Sequence, residues 1–273
     1  MLKSGQLDVI APDVQRLVAN NPGFMTGAGT NTYLLGRLRY FVIDPGPDDQ
    51  AHIERILAIT GGAIEAVLVT HTHGDHSPAA MTLARATGAQ VLGQLPLADG
   101  RHDSSFAPTR PLHEGDLVRV DAIALRALHT PGHASNHLCY LLEDQGLLFS
   151  GDHLMQGSTV VIAPPDGHMR SYLDSLYRLQ GESIRRIAPG HGQVIENAQE
   201  EITRLIAHRL QREAKVQRAL QDSGPATLDV LVKRVYDDVD PRIHEIAKSS
   251  LLAHLIKLQE DGLAVRDGEH WRT

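Results

Sequence analysis

Four side chains of the kind that bind metals lie close together between His71 and His76, where the chain reads HTHGDH. Imidazoles and carboxylates are good ligands for zinc and similar borderline metals. In extended backbone alternate side chains point the same way, so His71 and His73 can face one point. A turn at Gly74 can bring Asp75 and His76 to a second point nearby. A solvated polar loop is the alternative, but it does not require this density of ligands. We therefore predict a metal site.

The elements around this segment predict how it is positioned. It follows an apolar run, Ala66–Thr70, which is typical of a strand buried on both faces. Helices are predicted from Asp49 to Thr60, where Gly61-Gly62 ends the pattern, and from Ala79 to Thr87. Strands that alternate with helices in both halves of the chain predict an α/β fold. We expect two mixed sheets packed face to face, with helices outside.

Three later motifs each supply another candidate ligand: His133 in TPGH, Asp152 in SGD and His191 in PGH. Together with HTHGDH they resemble the metallo-β-lactamase superfamily, which has an HxHxDH signature followed by these three motifs in this order. The resemblance runs from about Asn21 to His191. It implies a four-layer αββα sandwich whose metal site lies along one edge, where strand-end loops from both halves meet.

The resemblance also implies a ligand set for two zinc ions, with manganese or iron as alternatives. One ion takes His71, His73 and His133, the other takes Asp75, His76 and His191, and Asp152 bridges them. We expect Asp75 to have a second, catalytic role as the group that orients the attacking hydroxide. Cys139, the single cysteine, is at no ligand position, so both sites have nitrogen and oxygen ligands only.

Two further residues are candidates for supporting the ligands. Asp44 ends an apolar strand, and the resemblance implies a buried partner of the metal-binding loop there. Metal-bound histidines usually donate their second ring N–H to such a group; an Asp that caps a turn is the alternative. His137 is a second candidate, with a core or surface strand position as the alternative. His102 and His113 are expected in a solvated loop, and His153 is expected to point away from the metal site.

The chain is predicted to have three parts: a catalytic domain (1–196), a long connecting helix (197–223) and a C-terminal α+β unit (224–273). The last part resembles the winged-helix appendix of the branch that includes the mitochondrial β-lactamase-like endoribonuclease. That branch also shares the NPG…GTNTYL pattern found between Asn21 and Leu34. The C-terminal unit has seven basic and nine acidic residues, the wrong balance for duplex DNA. We expect it to pack against the catalytic domain or against the partner in a homodimer.

Composition and the N-terminal sequence indicate the cellular compartment of the protein. Hydrophobic residues make up 42% of the 273 residues, enough for a substantial core. No apolar run approaches the roughly 18 residues needed to span a membrane. The N-terminus lacks the apolar region of a signal peptide, and a single cysteine fits a reducing compartment. We therefore expect a cytoplasmic protein that has no membrane contact.

Three functions stay open. The first is a dinuclear hydrolase that uses a metal-bridging hydroxide, with single-stranded RNA as a candidate substrate because of the branch resemblance. The second is a thioesterase or small-ester hydrolase of the glyoxalase II type, which has the same seven ligands. The third is a metal-binding regulatory protein without turnover, against which the intact Asp75 and Asp152 count. The net charge of −7 opposes tight binding to nucleic acid.

Overall fold

The computed structural model describes residues 2–97 and 101–273, which form two compact units. The predicted division at 196/197 and 223/224 stays a proposal, because the units defined by contacts interleave along the chain. The first unit consists of Met1–Thr130, Asn136–Ser158 and Glu182–Gln199, and the second of Pro131–Ser135, Thr159–Gly181 and Glu200–Thr273.

The first unit contains two sheets. Within the described residues, the first sheet has seven strands in the order of the chain: β1 (Leu7–Ala11), β2 (Val14–Val18), β3 (Asn31–Gly36), β4 (Tyr40–Ile43), β5 (Ile64–Leu68), β6 (Gln90–Gly93) and β7 (Arg110–Pro111). Strands β1 to β4 pair antiparallel, and β4 to β7 pair parallel. The crossover from β4 to β5 contains α1 (Gln50–Thr60) and that from β5 to β6 contains α2 (Ala79–Thr87), as the sequence predicted. The Asp49 side chain caps α1, and Gly61 ends it in the left-handed conformation.

The second sheet has the order β12-β11-β10-β9-β8 within the described chain. Its strands are β8 (Leu117–Val120), β9 (Ile123–His129), β10 (Leu138–Leu142), β11 (Leu147–Gly151) and β12 (Arg186–Pro189). Strands β10 and β11 form a hairpin, since they pair antiparallel with Tyr140 opposite Phe149. Strand β12 joins β11 in parallel, with Pro189 opposite Gly151. Two segments distant in the chain therefore end side by side.

Hydrophobic clusters on both faces of the first sheet explain the apolar run from Ala66 to Val69. Ala66 and Leu68 lie in the cluster between the two sheets. Val67 and Val69 lie in a second cluster, which joins the opposite face of the first sheet to α1 and α2. A strand covered on both faces needs no polar side. In the core between the sheets, the buried rings of Tyr33 and Phe149 meet edge to face, with their centroids 5.0 Å apart.

The second unit is mostly helical. It contains α3 (Met169–Gln180), most of α4 (Ala198–Ser223), α5 (Leu228–Val235), α6 (His244–Glu260) and the hairpin β13 (Val265–Asp267) with β14 (His270–Arg272). Thr227 occupies the position before α5, but its side chain makes no capping hydrogen bond. Trp271 is 1% exposed in a core formed by α4, α5, α6 and the hairpin. No helix among the described residues is both long enough and apolar enough to cross a membrane.

Replacing Phe149 by alanine tests the core between the sheets. The variant leaves a cavity beside Tyr33, so we expect the free energy of unfolding to fall by about 3–5 kcal/mol. Urea unfolding followed by circular dichroism measures the change. Phe24→Ala is the matched control, because Phe24 is 76% exposed and its loss should change stability by about 0.5 kcal/mol or less. Equal losses in the two variants would contradict this account of the core.

Candidate metal centre

Four ligand atoms from three loops converge in the first unit. The Nε2 atom of His191 lies 3.2 Å from Asp75 Oδ2 and 3.4 Å from Asp152 Oδ1. The Nε2 atom of His76 lies 3.6 Å from Asp75 Oδ2 and 3.4 Å from Asp152 Oδ1. These residues follow β5, β11 and β12, so the ends of strands from both sheets supply them.

The spacing of these atoms fits a metal ion of the size of zinc. Ligands at the zinc–nitrogen and zinc–oxygen distances of about 2.0–2.2 Å, arranged as a tetrahedron, are about 3.3–3.6 Å apart. The four nitrogen–oxygen separations run from 3.2 to 3.6 Å, close to the edge length of such a tetrahedron. The Nε2 atom of His76 is buried and has no hydrogen-bond partner among the described residues. A coordinated cation would satisfy it.

A second grouping lies beside the first. Ligand atoms of His71, His76 and Asp152 all lie within 4.8 Å of one another. The ring of His73 meets the His71 ring edge to face, with centroids 4.6 Å apart. His71, His73 and His76 therefore belong to one cluster of imidazoles, and Asp152 lies in both groupings.

His133 lies in the second unit, in the segment Pro131–Ser135. Its Nδ1 is 2.8 Å from the carbonyl oxygen of Val161, which leaves Nε2 as the nitrogen that can bind a metal. Its place beside His71 and His73 stays a prediction.

Asp44 lies behind His76 at the end of β4. Its carboxylate accepts hydrogen bonds from Thr70 N (2.8 Å) and Thr70 Oγ1 (2.7 Å), and its Oδ2 is 2.9 Å from His76 Nδ1. Asp44 is 2% exposed and has a φ of 48°, a left-handed conformation that Asp tolerates better than most residues. When His76 Nδ1–H donates to this carboxylate, the lone pair of Nε2 points to the convergence point.

The charges of the cluster depend on one another. Burial lowers the pKa of His76, but the carboxylates of Asp75, Asp152 and Asp44 outweigh burial and raise the pKa well above its usual value. Burial lowers the pKa of His191 too, and Asp152 and Asp75 raise it overall. Burial raises the pKa of Asp75, yet the charge of His76 and the bond from His191 lower it to about 2. Carboxylates thus supply the negative charge that a cation would neutralise, and its binding would release protons.

The loop that holds His191 is fixed by residues of β3, which explains part of the GTNTYL pattern. Asn31 Nδ2 donates to the carbonyls of Pro189 and Gly192, each at 2.9 Å. The hydroxyl of Tyr33 donates to Pro189 O at 2.7 Å. A Cβ atom on Gly190 would lie 2.7 Å from Asp152 Oδ1 and 2.8 Å from the ring of His76. The site therefore requires a residue without a side chain at position 190.

Three histidines outside the predicted ligand set lie in or near the imidazole cluster. His137 is fully buried, and its ring stacks on His71 with centroids 5.1 Å apart. His153, expected to point elsewhere, is also buried, with its ring 5.8 Å from that of His137. The prediction of a solvated His102 is wrong, because its ring stacks on His73. His113 is exposed, as predicted. No periodic pattern surrounds His102, so sequence gave no signal for its position.

The Gly-rich segment before β3 forms a closed turn. Gly23 and Gly27 bridge antiparallel, and the side-chain amide of Asn21 donates from Nδ2 to Thr30 Oγ1 and accepts at Oδ1 from Thr30 N. Phe24 and Met25 are exposed at its tip. Thr30 pairs with His191, so the base of this turn touches the candidate centre.

Asp44→Asn tests the support of His76. An amide nitrogen in place of Oδ2 would donate to Nδ1, which moves the proton of the ring to Nε2 and blocks it as a ligand. We expect metal affinity to fall about 10–100-fold, measured by competition with a chelator. Asp13→Asn is the matched control: Asp13 also has a positive φ, but it pairs with the exposed Arg37. Unchanged affinity in Asp44→Asn would contradict the role of this carboxylate.

Gly190→Ala tests the space between Asp152 and His76. The added methyl would displace both ligands, so we expect metal affinity to fall at least about tenfold, as it does when ligand support is lost. Gly74→Ala is the control in the other loop, since a Cβ there meets no atom within 4 Å. Neither glycine has a positive φ, so backbone strain does not complicate the comparison. Equal titration curves for the two variants would exclude close packing at position 190.

Comparison with known proteins identifies the family and the fold. Residues 25–191 match the family model of the metallo-β-lactamase superfamily. Residues 227–271 match the β-lactamase-associated winged helix domain. A β-lactamase domain protein from Burkholderia ambifaria has the same fold, with a TM-score of 0.83 and 24% identity over 100% of this chain and 95% of its own. The predicted fold class, with its C-terminal winged helix, is confirmed.

Two curated relatives extend over nearly the whole chain. An atrochrysone carboxyl ACP thioesterase from Cryptosporiopsis is 30% identical over 94% of this chain and 82% of its own length. A β-lactamase-like protein 2 homolog from Caenorhabditis elegans is 29% identical over 98% of this chain and 90% of its own length. The chain therefore belongs to the metallo-β-lactamase superfamily, in the branch with a C-terminal β-lactamase-associated winged helix domain.

Proposed function

We propose that this protein is a hydrolase that depends on two divalent metal ions and cleaves thioesters or small esters. The observation that carries the proposal is the convergence of two imidazole nitrogens and two carboxylate oxygens at 3.2–3.6 Å. The proposed ligands of one ion are His71, His73 and His133, and those of the other are Asp75, His76 and His191, with Asp152 between the ions.

The donor set selects the class of metal. Nitrogen and oxygen ligands suit zinc, and manganese and iron are the alternatives. Cys139 is buried in β10, where its sulfur lies 3.2 Å from Thr130 Oγ1 and 3.7 Å from Ser150 O. Because the Cys139 sulfur makes these contacts within the sheet, we propose a ligand set without thiolate. Zinc is the proposed native metal.

Such ions lower the pKa of bound water to about 7 and polarise the oxygen of a substrate carbonyl. The chain itself orients the reactants. The side chain of Asp75 is 29% exposed, whereas those of Asp152, His191 and His76 are 12%, 7% and 0% exposed. Asp75 is therefore the most exposed of these four groups, and a water molecule can reach it from solvent. Because its pKa is lowered, it is ionised and can accept a hydrogen bond from that water.

Two observations favour a thioester over a nucleic acid. A relative named as a thioesterase matches 94% of the chain. The protein has a formal charge of −7, and its C-terminal unit has more acidic than basic residues, which disfavours a polyanionic substrate. Single-stranded RNA is the second candidate, because the NPG…GTNTYL pattern and the winged helix resemble the endoribonuclease branch. A regulatory protein without turnover is the third, and a homodimer stays a prediction.

Asp75→Ala tests the proposal. We expect the parent protein to contain about two metal ions per chain and to hydrolyse an acyl thioester. In Asp75→Ala, kcat/KM for the thioester should be about 10²–10⁴ lower. The panel includes an oxygen ester, a β-lactam and single-stranded RNA, each with zinc, manganese and iron forms. Asp48→Ala is the control, since Asp48 is exposed and outside the cluster.

Each outcome separates the candidates. RNA cleavage that disappears in Asp75→Ala, without thioester hydrolysis, would replace the proposed substrate class by the second candidate. Tight binding of two metal ions without turnover of any substrate would support the regulatory protein instead. Equal rates in Asp75→Ala and the parent would exclude the role proposed for this carboxylate.

A further inference from the structure

His102 packs against the loop of the candidate metal centre from a segment 30 residues further along the chain. Its ring lies over that of His73 with centroids 5.2 Å apart and an angle of 11° between the planes. His71 meets the same ring at 84°, with centroids 4.6 Å apart. The His73 imidazole thus has one neighbour on its face and another in edge-to-face contact.

A buried polar network sets the position of His102. Its Nδ1 is 2.9 Å from Thr72 Oγ1, which also accepts a hydrogen bond from Asn136 Nδ2 at 3.0 Å. Asn136 donates in addition to the carbonyl of Gln94 at 3.0 Å. Thr72 is 0% and Asn136 2% exposed. Buried hydrogen bonds restrict the side chains that make them, so this network holds the His102 ring in one orientation.

The residue after His102 fixes the same segment to the same loop. Asp103 N donates to Thr72 O at 2.7 Å, and Ser77 Oγ donates to the Asp103 carboxylate at 2.7 Å. Phe106 is buried in the core beneath α1 and α2. The segment is therefore anchored at Asp103, next to His102, and again at Phe106. These anchors hold the His102 ring against His73.

We propose that His102 is a positioning residue, which fixes the plane of the His73 imidazole by stacking on it while Thr72 holds its own ring in place. A metal ligand that is already oriented loses less freedom when it binds, and residues around the ligands typically change metal affinity by about 10–100-fold. The inference rests on the proposed function, in which His73 binds a metal ion.

Three substitutions separate the stack from the hydrogen bond. His102→Ala removes both, His102→Phe keeps an aromatic face, and His102→Asn keeps a polar group near Nδ1. His113→Ala is the matched control, because His113 is a nearby histidine in the next connection, between β7 and β8, and its side chain is 78% exposed. Each full-length protein is titrated with zinc against a chelator, and the visible spectrum of its cobalt form reports the geometry of the ligands. Melting temperatures without added metal report the fold.

We expect zinc affinity to fall about tenfold in His102→Ala, with an altered cobalt spectrum, and to fall similarly in His102→Asn. His102→Phe should retain most of the affinity, and His113→Ala all of it. Zinc affinity and cobalt spectra in His102→Ala equal to those of His113→Ala would overturn the inference. So would a loss of affinity in His102→Ala that His102→Phe does not restore. If His102→Ala fails to fold, His102→Phe against His102→Asn decides the matter.

His73→Ala distinguishes this failure from a failure of the proposed function. Unchanged metal binding in His73→Ala would remove His73 from the proposed ligand set. Lost binding in His73→Ala together with normal binding in His102→Ala would leave the ligand set intact and reject the role of His102 alone.

Discussion

The hydrogen bond between Asp44 and His76 determines which nitrogen of His76 is available to a metal. Asp44 is 2% exposed, and an ionised carboxylate buried to that degree is costly unless it is fully hydrogen bonded. Two bonds from Thr70 and one from His76 meet this need. The same bonds tie the end of β4 to the end of β5. The buried carboxylate of Asp44 thus joins the first sheet to the metal-binding loop that follows β5.

The second sheet supplies the rest of the cluster through a parallel pair of strands. β11 ends next to Asp152 and β12 ends just before His191, and Gly151 is paired with Pro189. Gly190 N donates to Gly151 O at 2.8 Å, and this bond holds the loop of Asp152 beside the loop of His191. Asn31 and Tyr33 of the first sheet donate hydrogen bonds to Pro189 O and so connect the His191 loop to that sheet. The core between the sheets is therefore a condition for the site, because any sliding of the sheets would separate Asp75 from Asp152.

Sequence could predict much of this arrangement because the strongest signals are local. The apolar run before the metal-binding loop, the glycines that end α1 and the dense HTHGDH segment all depend on neighbours in the chain. The packing of His102 on His73 depends on a connection without periodicity, and only the folded chain brings them together. Sequence does not predict the burial of His153 for a related reason: it follows Asp152 just after β11 ends, where strand alternation no longer applies. Resemblance, and not spacing, suggested the role of Asp44.

The position of Trp271 has a practical consequence. It is the single tryptophan of the chain, and it is buried in the core of the second unit, with the Arg266 guanidinium 5.6 Å from its ring. Intrinsic fluorescence excited at the indole band therefore reports on the packing of the C-terminal winged helix. Circular dichroism reports on both units together. A difference between the two signals during unfolding would reveal whether the winged helix melts as an independent cooperative unit.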